Sequence, residues 1–280
     1  MPLRDARMPG NDAREQALSA PTIERVAATA STNDDLLARV RAAAAAGATR
    51  FPPCLLVADR QSAGRGRHGR RWHAAPGQSL TCSLAWQPAR ADLAGLSLAL
   101  GAAIADALEP PGNASPRIGL KWPNDVWLVD SPRAGAALSG RKLAGILVET
   151  APLGDERVAV VGIGINIGAQ PDADAASGVA SLDELDAGAT PASTLARVAP
   201  ALWVALERFD VDGFAAFAER FAARDLLRGR AVEASFGDVA GIASGVGPDG
   251  ALLVDTGNGV IGVTSGEWRL RIMAGLEPSC

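Results

Sequence analysis

With 280 residues, of which 48% are apolar, the chain is long enough to bury a large core and a second small one, which excludes a disordered chain or a disulfide-stapled miniprotein. A formal net charge of −4 and a pI near 5.3 exclude general affinity for nucleic acid, so any functional positive charge must be local. Three cysteines, Cys54, Cys82 and Cys280, are odd in number and lack C-x-x-C spacing; they predict neither a disulfide framework nor a zinc site and point to a reducing, cytosolic compartment.

Residues 1–20 lack periodicity, signal-peptide character and any membrane-length apolar run, and are expected to be a disordered lead-in. Thr22 to Ala28 reads as a short strand. Ser31 and Thr32 each stand three residues before an Asp, a capping-box spacing that predicts a helix with Leu36, Leu37 and Val40 on its apolar stripe and a stop at Gly47. Cys54 to Ala58 and Leu80 to Trp86 read as strands flanking a Gly/Arg-rich loop. A buried helix is predicted over Asp92 to Leu108 from Leu96, Leu100, Ile104 and Leu108. Arg117 to Trp122, Val126 to Val129, Lys142 to Glu149 and Val158 to Ile163 follow as strands, with an exposed flexible loop between Val129 and Arg141. Thr190-Pro191 opens a helix through Phe209, and a second is expected from Val211 to Ala223. From Gly229 short alternating runs broken by Pro248-Asp249-Gly250 and Gly257-Asn258-Gly259 predict a small β-barrel. The pattern is a mixed α/β (α+β) fold with a main domain over 21–227 and the barrel over 228–275.

Four segments carry chemistry. Arg60 to Trp72 holds five arginines among Gly64, Gly66 and Gly69; the glycine spacing matches a dinucleotide fingerprint, but no helix can start in the Trp/Pro/Gly-rich continuation. Clustered guanidinium groups and exposed backbone N–H groups suit a loop that folds over a phosphate or an acyl-adenylate. Lys121-Trp122-Pro123-Asn124-Asp125 displays an amide and a carboxylate at a strand end, either as a plain turn or where a carboxylate can help hold Mg²⁺ on triphosphate oxygens. In Arg141 to Glu149 a lysine opens an apolar strand and points either to solvent or into a pocket. Gly162-Ile163-Gly164-Ile165-Asn166 ends a buried strand with glycines that either admit a ligand or pack strands together. Of the 27 basic side chains only Lys121 and Lys142 are lysines; either chance left them or a compact ammonium rather than a planar fork is wanted at both places. His68 and His73 have no ligand-like spacing and take no metal role.

Taken in order, Ser31-Thr32-Asn33, Gly64-Arg65-Gly66-Arg67-His68-Gly69-Arg70 with Trp72, Lys121 to Asp125, Lys142-Leu143-Ala144-Gly145-Ile146-Leu147 and Gly164-Ile165-Asn166 resemble the biotin protein ligase family over about residues 22–270. The resemblance implies a biotin/lipoate ligase-like catalytic domain related to class II synthetases, with a C-terminal SH3-like barrel. It implies activation of biotin by ATP and Mg²⁺ to biotinyl-AMP, then transfer to a lysine of the biotin carboxyl carrier protein of acetyl-CoA carboxylase. Biotin contacts are implied for Ser31, Thr32, Asn33, Gln61, Arg65, Gly66, Arg67 and Lys142. Nucleotide or adenylate contacts are implied for Arg65, Arg67, Arg70, Trp72, Lys121, Asn124, Asp125 and Asn166, with Lys142 and Arg67 at the reacting groups and Asp125 on the metal side. A monomer or homodimer free of nucleic acid and membrane is expected, and the short segment before the motifs leaves no room for the winged-helix domain of repressor-type members. Two rival readings are a lipoate ligase or lipoyl transferase, whose G-G-G-x-V-x-H-D-like segment is not found, and a noncatalytic anion-binding protein, which would need neither Asp125 nor Lys142.

Overall fold

The computed structural model describes residues 21–112, 116–129, 140–170, 178–234, 240–264 and 270–272. The expected lead-in and the expected loop between Val129 and Arg141 lie outside them, apart from Gly140. Strands β1 (Thr22–Val26), β2 (Cys54–Ala58), β3 (Ser79–Trp86), β4 (Ile118–Lys121), β5 (Asp125–Val129), β6 (Gly140–Leu153) and β7 (Glu156–Asn166) form one sheet in the order β1-β2-β3-β7-β6-β5-β4. Only β1 and β2 run parallel.

Strand alternation gives this sheet two buried faces. Leu55 and Val57 of β2 and Ala159 and Val161 of β7 join the larger core, beneath helices α2 (Leu96–Leu108) and α3 (Pro191–Asp212). Cys54 and Leu56, with Val158 and Val160, face the other way against Leu36, Leu37 and Val40 of helix α1 (Thr32–Ala45). Ser31 caps α1 as expected, its Oγ accepting from the Asp34 backbone N–H at 3.3 Å.

Two helix boundaries depart from the sequence reading. α2 begins at Leu96 instead of Asp92 because Asp92 Oδ1 accepts the Ala94 N–H at 2.9 Å, closing a local turn, and Gly95 follows in the left-handed region at φ 77°. In place of one helix over Val211 to Ala223, α3 runs on to Asp212, the chain reverses at Gly213 (φ 66°), and a 3₁₀ segment, Gly213–Phe217, leads into a single short helix α4 (Ala218–Ala222). Phe214, Phe217 and Phe221 are all buried there, so packing into the core overrides the longer helical period.

The C-terminal segment forms the small antiparallel sheet expected of an SH3-like unit: β8 (Ala231–Ala234), β9 (Ala240–Val246), β10 (Leu252–Asp255), β11 (Val260–Val263) and β12 (Leu270–Ile272), in the order β11-β10-β9-β8-β12. Its inner residues Val232, Ala243, Leu252 and Val254 belong to the larger core. A hydrogen bond of 3.0 Å from Trp122 Nε1 to the Gly250 carbonyl fastens its β9–β10 turn to the Lys121 to Asp125 segment.

Candidate active site

A cavity of about 1040 Å³ opens on the α1 face of the sheet, and its floor is set by one strand. Along β7 the positions facing α1 change from Val158 and Val160 to Gly162, Gly164 and Asn166. A Cβ on Gly162 would overlap the Asn33 side-chain amide, and one on Gly164 would overlap the Trp72 indole. These glycines therefore clear the floor for the Asn33 and Trp72 side chains, a use that is neither of the two alternatives, ligand approach or packing between strands, that the sequence left open.

The end of the cavity at the α1 N-terminus is polar and buried. Gln61 Oε1 accepts from the Thr32 backbone N–H at 2.7 Å, with Thr32 Oγ1 3.1 Å away. Thr32 Oγ1 also meets Ser83 Oγ at 2.6 Å, and Ser83 Oγ donates to Asn33 Oδ1 at 2.5 Å. Asn33 Nδ2 in turn donates to Glu149 Oε2 at 2.9 Å. Such a connected relay fixes each side chain's orientation, which a ligand's own polar groups can then read.

The arginine loop is a narrow hairpin over this cavity. Trp72 N–H donates to the Gly64 carbonyl at 2.8 Å and Gly66 N–H to the Arg70 carbonyl at 2.7 Å, with His68 at φ 57° in the turn. Arg65 reaches out of the hairpin to Glu149 and Asp34, each at 2.7 Å. Arg67 turns inward: its Nη1 donates to Asn124 Oδ1 at 3.2 Å, and burial pulls its guanidinium below the usual range, partly offset by Asp125. Arg70 is exposed at the rim.

The opposite end is cationic. Asn124 is clasped to β6 twice, its Nδ2 donating to the Ile146 carbonyl at 2.8 Å while its own carbonyl accepts the Ile146 N–H at 3.0 Å. Lys142 Nζ lies 2.6 Å from Asp125 Oδ1 and 5.8 Å from the centre of the Trp72 ring. Lys142 and Gly145, three residues apart, would face opposite sides of a regular strand. A register shift opposite Val126 and Trp127 turns both toward the cavity, and the lysine end lies 3.1 Å from where a Gly145 Cβ would be. Burial lowers the Lys121 ammonium below its ordinary value, with Asp125 opposing and the like charges of Lys142 and Arg70 adding to the effect. Asn166 Nδ2 is tied to the Lys142 carbonyl at 3.3 Å and the Ala180 carbonyl at 3.1 Å.

Each residue expected to contact biotin, the nucleotide or the metal lines this one cavity, whereas Gly64, Gly69, Leu143, Ala144 and Ile165 of the same motifs do not. Sequence reasoning missed Ser83, the hinge of the polar relay, and the carboxylates Glu149 and Asp34 that hold Arg65. Ser83 pairs with Gly162 across β3 and β7, a register that the sequence does not announce. Among the described residues no group of three or more His, Cys, Asp or Glu side chains could hold a metal by itself. Among the described residues Asp125 is the one carboxylate lining the cavity, which fits a Mg²⁺ ion that arrives on a nucleotide's phosphates rather than one resident in a protein cage.

A mixed sheet with one deep cavity, polar at one end and cationic at the other under an arginine hairpin, is suited to an enzyme that joins two anionic small molecules. A sequence profile of the Biotin/lipoate A/B protein ligase family matches residues 50–166. The Biotin--[acetyl-CoA-carboxylase] ligase of Mycobacterium tuberculosis is 35% identical over 258 residues, covering 88% of this chain and 87% of that protein. The Bifunctional ligase/repressor BirA of Escherichia coli is 34% identical over 222 residues; these are 77% of this chain but 65% of the relative's length. Among solved structures, the biotin protein ligase from Aquifex aeolicus in complex with biotin and ATP superposes with a TM-score of 0.71 at 28% identity, over 90% of this chain and 99% of that one. The chain belongs to the biotin/lipoate A/B protein ligase family. Within the described residues no helix is long and apolar enough to cross a membrane.

Proposed function

We propose that this protein is a biotin protein ligase of the cytoplasm, which condenses biotin with MgATP to biotinyl-5′-AMP and then biotinylates a lysine of a carboxyl carrier protein. The observation that carries this reading is the meeting, in one cavity, of the Thr32–Gln61–Ser83–Asn33 relay with the Lys121, Lys142 and Arg67 cations. The relay is the biotin end and the cations the nucleotide end. Similarity to proteins named as biotin ligases supports biotin over lipoate as the acid.

In the first step a biotin carboxylate oxygen attacks the α-phosphorus, and the bond to pyrophosphate breaks. Negative charge accumulates on oxygens around phosphorus, and Lys142 and Arg67 stabilise it without having to reorganise. Asp125 holds Lys142 in place before the nucleotide arrives and supplies a carboxylate for the Mg²⁺ that comes with it. Arg65, Gly66, Arg70 and Trp72 close the hairpin over the mixed anhydride and keep water from it. In the second step a neutral lysine amine of the carrier attacks the biotinyl carbonyl, AMP departs with the bonding pair, and the amine gives up a proton to form the amide. Residues 21–227 carry both steps, while the β9–β10 turn braces the nucleotide end through the Trp122–Gly250 contact.

Incubating the pure protein with MgATP, labelled biotin and an apo carrier domain tests the reading, with labelled lipoate in a parallel tube. Label on the carrier from biotin alone is expected; label from lipoate alone, or from neither, overturns it.

A further inference from the structure

Lys121 differs from Lys142 and Arg67 in what holds it. Lys142 has Asp125 as its close ion-pair partner at 2.6 Å, and Arg67 has Asn124. Among the described residues Lys121 has no carboxylate at ion-pair distance; its Nζ instead lies over the Trp127 ring, 4.4 Å from the centroid. The register explains the contact. Lys121 pairs with Asp125 and Gly119 with Trp127 across β4 and β5, so Lys121 and Trp127 are diagonal neighbours on one face, within reach for a long side chain and a large ring.

Trp127 Nε1 is buried and finds no hydrogen-bond acceptor among the described residues. An unpartnered buried donor is destabilising, and phenylalanine would fill much of the same space without one. What the indole has beyond a phenyl ring is the more negative face, the better platform for a cation, and the benefit grows where the cation is withdrawn from water.

We infer that Trp127 is a positioning residue whose ring holds the Lys121 ammonium at the nucleotide end of the cavity, ready for the phosphate oxygens of a nucleoside triphosphate. The inference rests on the ligase reading for the identity of that ligand. Its own content is that Trp127 acts through Lys121 and on the nucleotide only.

A double-mutant cycle on Trp127→Leu, Lys121→Met and the pair tests it, reading the Kd of a nonhydrolysable ATP analogue with Mg²⁺ by calorimetry, alongside KM for ATP and for biotin and the thermal midpoint. Trp127→Leu is expected to weaken analogue binding and raise KM for ATP by about 5- to 30-fold, to leave KM for biotin within about twofold, and to add little once Lys121 is already Met. Trp127→Phe, which keeps a ring and cannot leave a donor unpartnered, is expected to fold at least as stably and to lose about 2- to 5-fold in analogue binding; it carries the test if the leucine variant does not fold. Equal losses for biotin and nucleotide, or a full additional loss from Trp127→Leu in the Lys121→Met background, would overturn the inference. Wild-type protein that binds the analogue but activates no biotin would instead count against the ligase reading, while the cycle still decides the role of Trp127.

Discussion

At position 142 the difference between an ammonium and a guanidinium is a matter of space as well as charge. Lys142 enters a slot between Asp125 and the Trp72 ring, and its end passes within 3.1 Å of where a side chain at Gly145 would begin. A planar fork is too broad for that slot and would displace either the ring or the carboxylate. Lys142→Ala is therefore expected to slow biotinyl-adenylate formation by about 100- to 1000-fold, and Lys142→Arg by nearly as much, with the thermal midpoint little changed for a side chain that is one-third exposed. Single-turnover measurement of labelled adenylate checks both, and a wild-type rate in either variant would remove Lys142 from the chemistry. The scarcity of lysine marked this residue in the sequence, but its direction was not legible, because a strand's alternation cannot announce the bulge that turns it into the cavity.

Among the elements, the arginine hairpin is the one whose behaviour depends on contacts made far away in sequence. Arg65 was expected to touch biotin and the adenylate, and in the structure its guanidinium lines the cavity wall while gripping Glu149 and Asp34. Exposed ion pairs are individually weak, so this grip is a restraint on opening rather than a source of fold stability. Glu149→Gln is expected to speed tryptic cleavage within residues 60–72 of the ligand-free protein by about 2- to 5-fold while urea unfolding stays the same. Unchanged cleavage would show that the hairpin's own backbone bonds hold it. Glycines and arginines made the hairpin's place over the cavity readable, and Ser31, Thr190 and Pro191 made two helix starts readable through capping chemistry. The start of α2 and the break at Gly213 were not, because an Asp92 side-chain turn and three buried phenylalanines outweigh apolar periodicity there. The polar relay through Ser83 was hidden for a related reason: a serine in an apolar strand has no local mark until its neighbour across the sheet is known.

Over the molecule as a whole, the cationic end of the cavity is supported from behind by a buried charge cluster. Arg224, only 6% exposed in its side chain, donates from Nη1 to Glu109 Oε2 and to the Ile118 carbonyl, both at 2.9 Å, and lies 3.1 Å from Asp106. Its own carbonyl accepts the Leu120 N–H at 2.7 Å, so the end of α2, strand β4 and the segment after α4 are locked together one residue before Lys121. Burial pushes the Glu109 carboxyl up, but the backbone N–H groups of Arg117 and Ile118 and the Arg224 guanidinium together bring it below its ordinary 4.5. A carboxyl depressed in the folded state takes up protons less readily there than in the unfolded chain. Its contribution is thus fully present above pH 4.5 and is lost as pH falls through the lower folded value. Removing the cation takes away two of the influences that hold the Glu109 carboxyl down, its hydrogen bond and its charge, so the carboxyl rises from its place in the wild type while burial still acts on it. Arg224→Met is accordingly expected to cost about 3–5 kcal/mol at neutral pH, because it strands a buried carboxylate. The deficit should shrink as acid neutralises that carboxylate, so the urea midpoints of wild type and variant should converge between about pH 6 and pH 3. A constant gap across that range would mean that Arg224 stabilises the fold by packing and backbone bonds alone, with Glu109 a bystander.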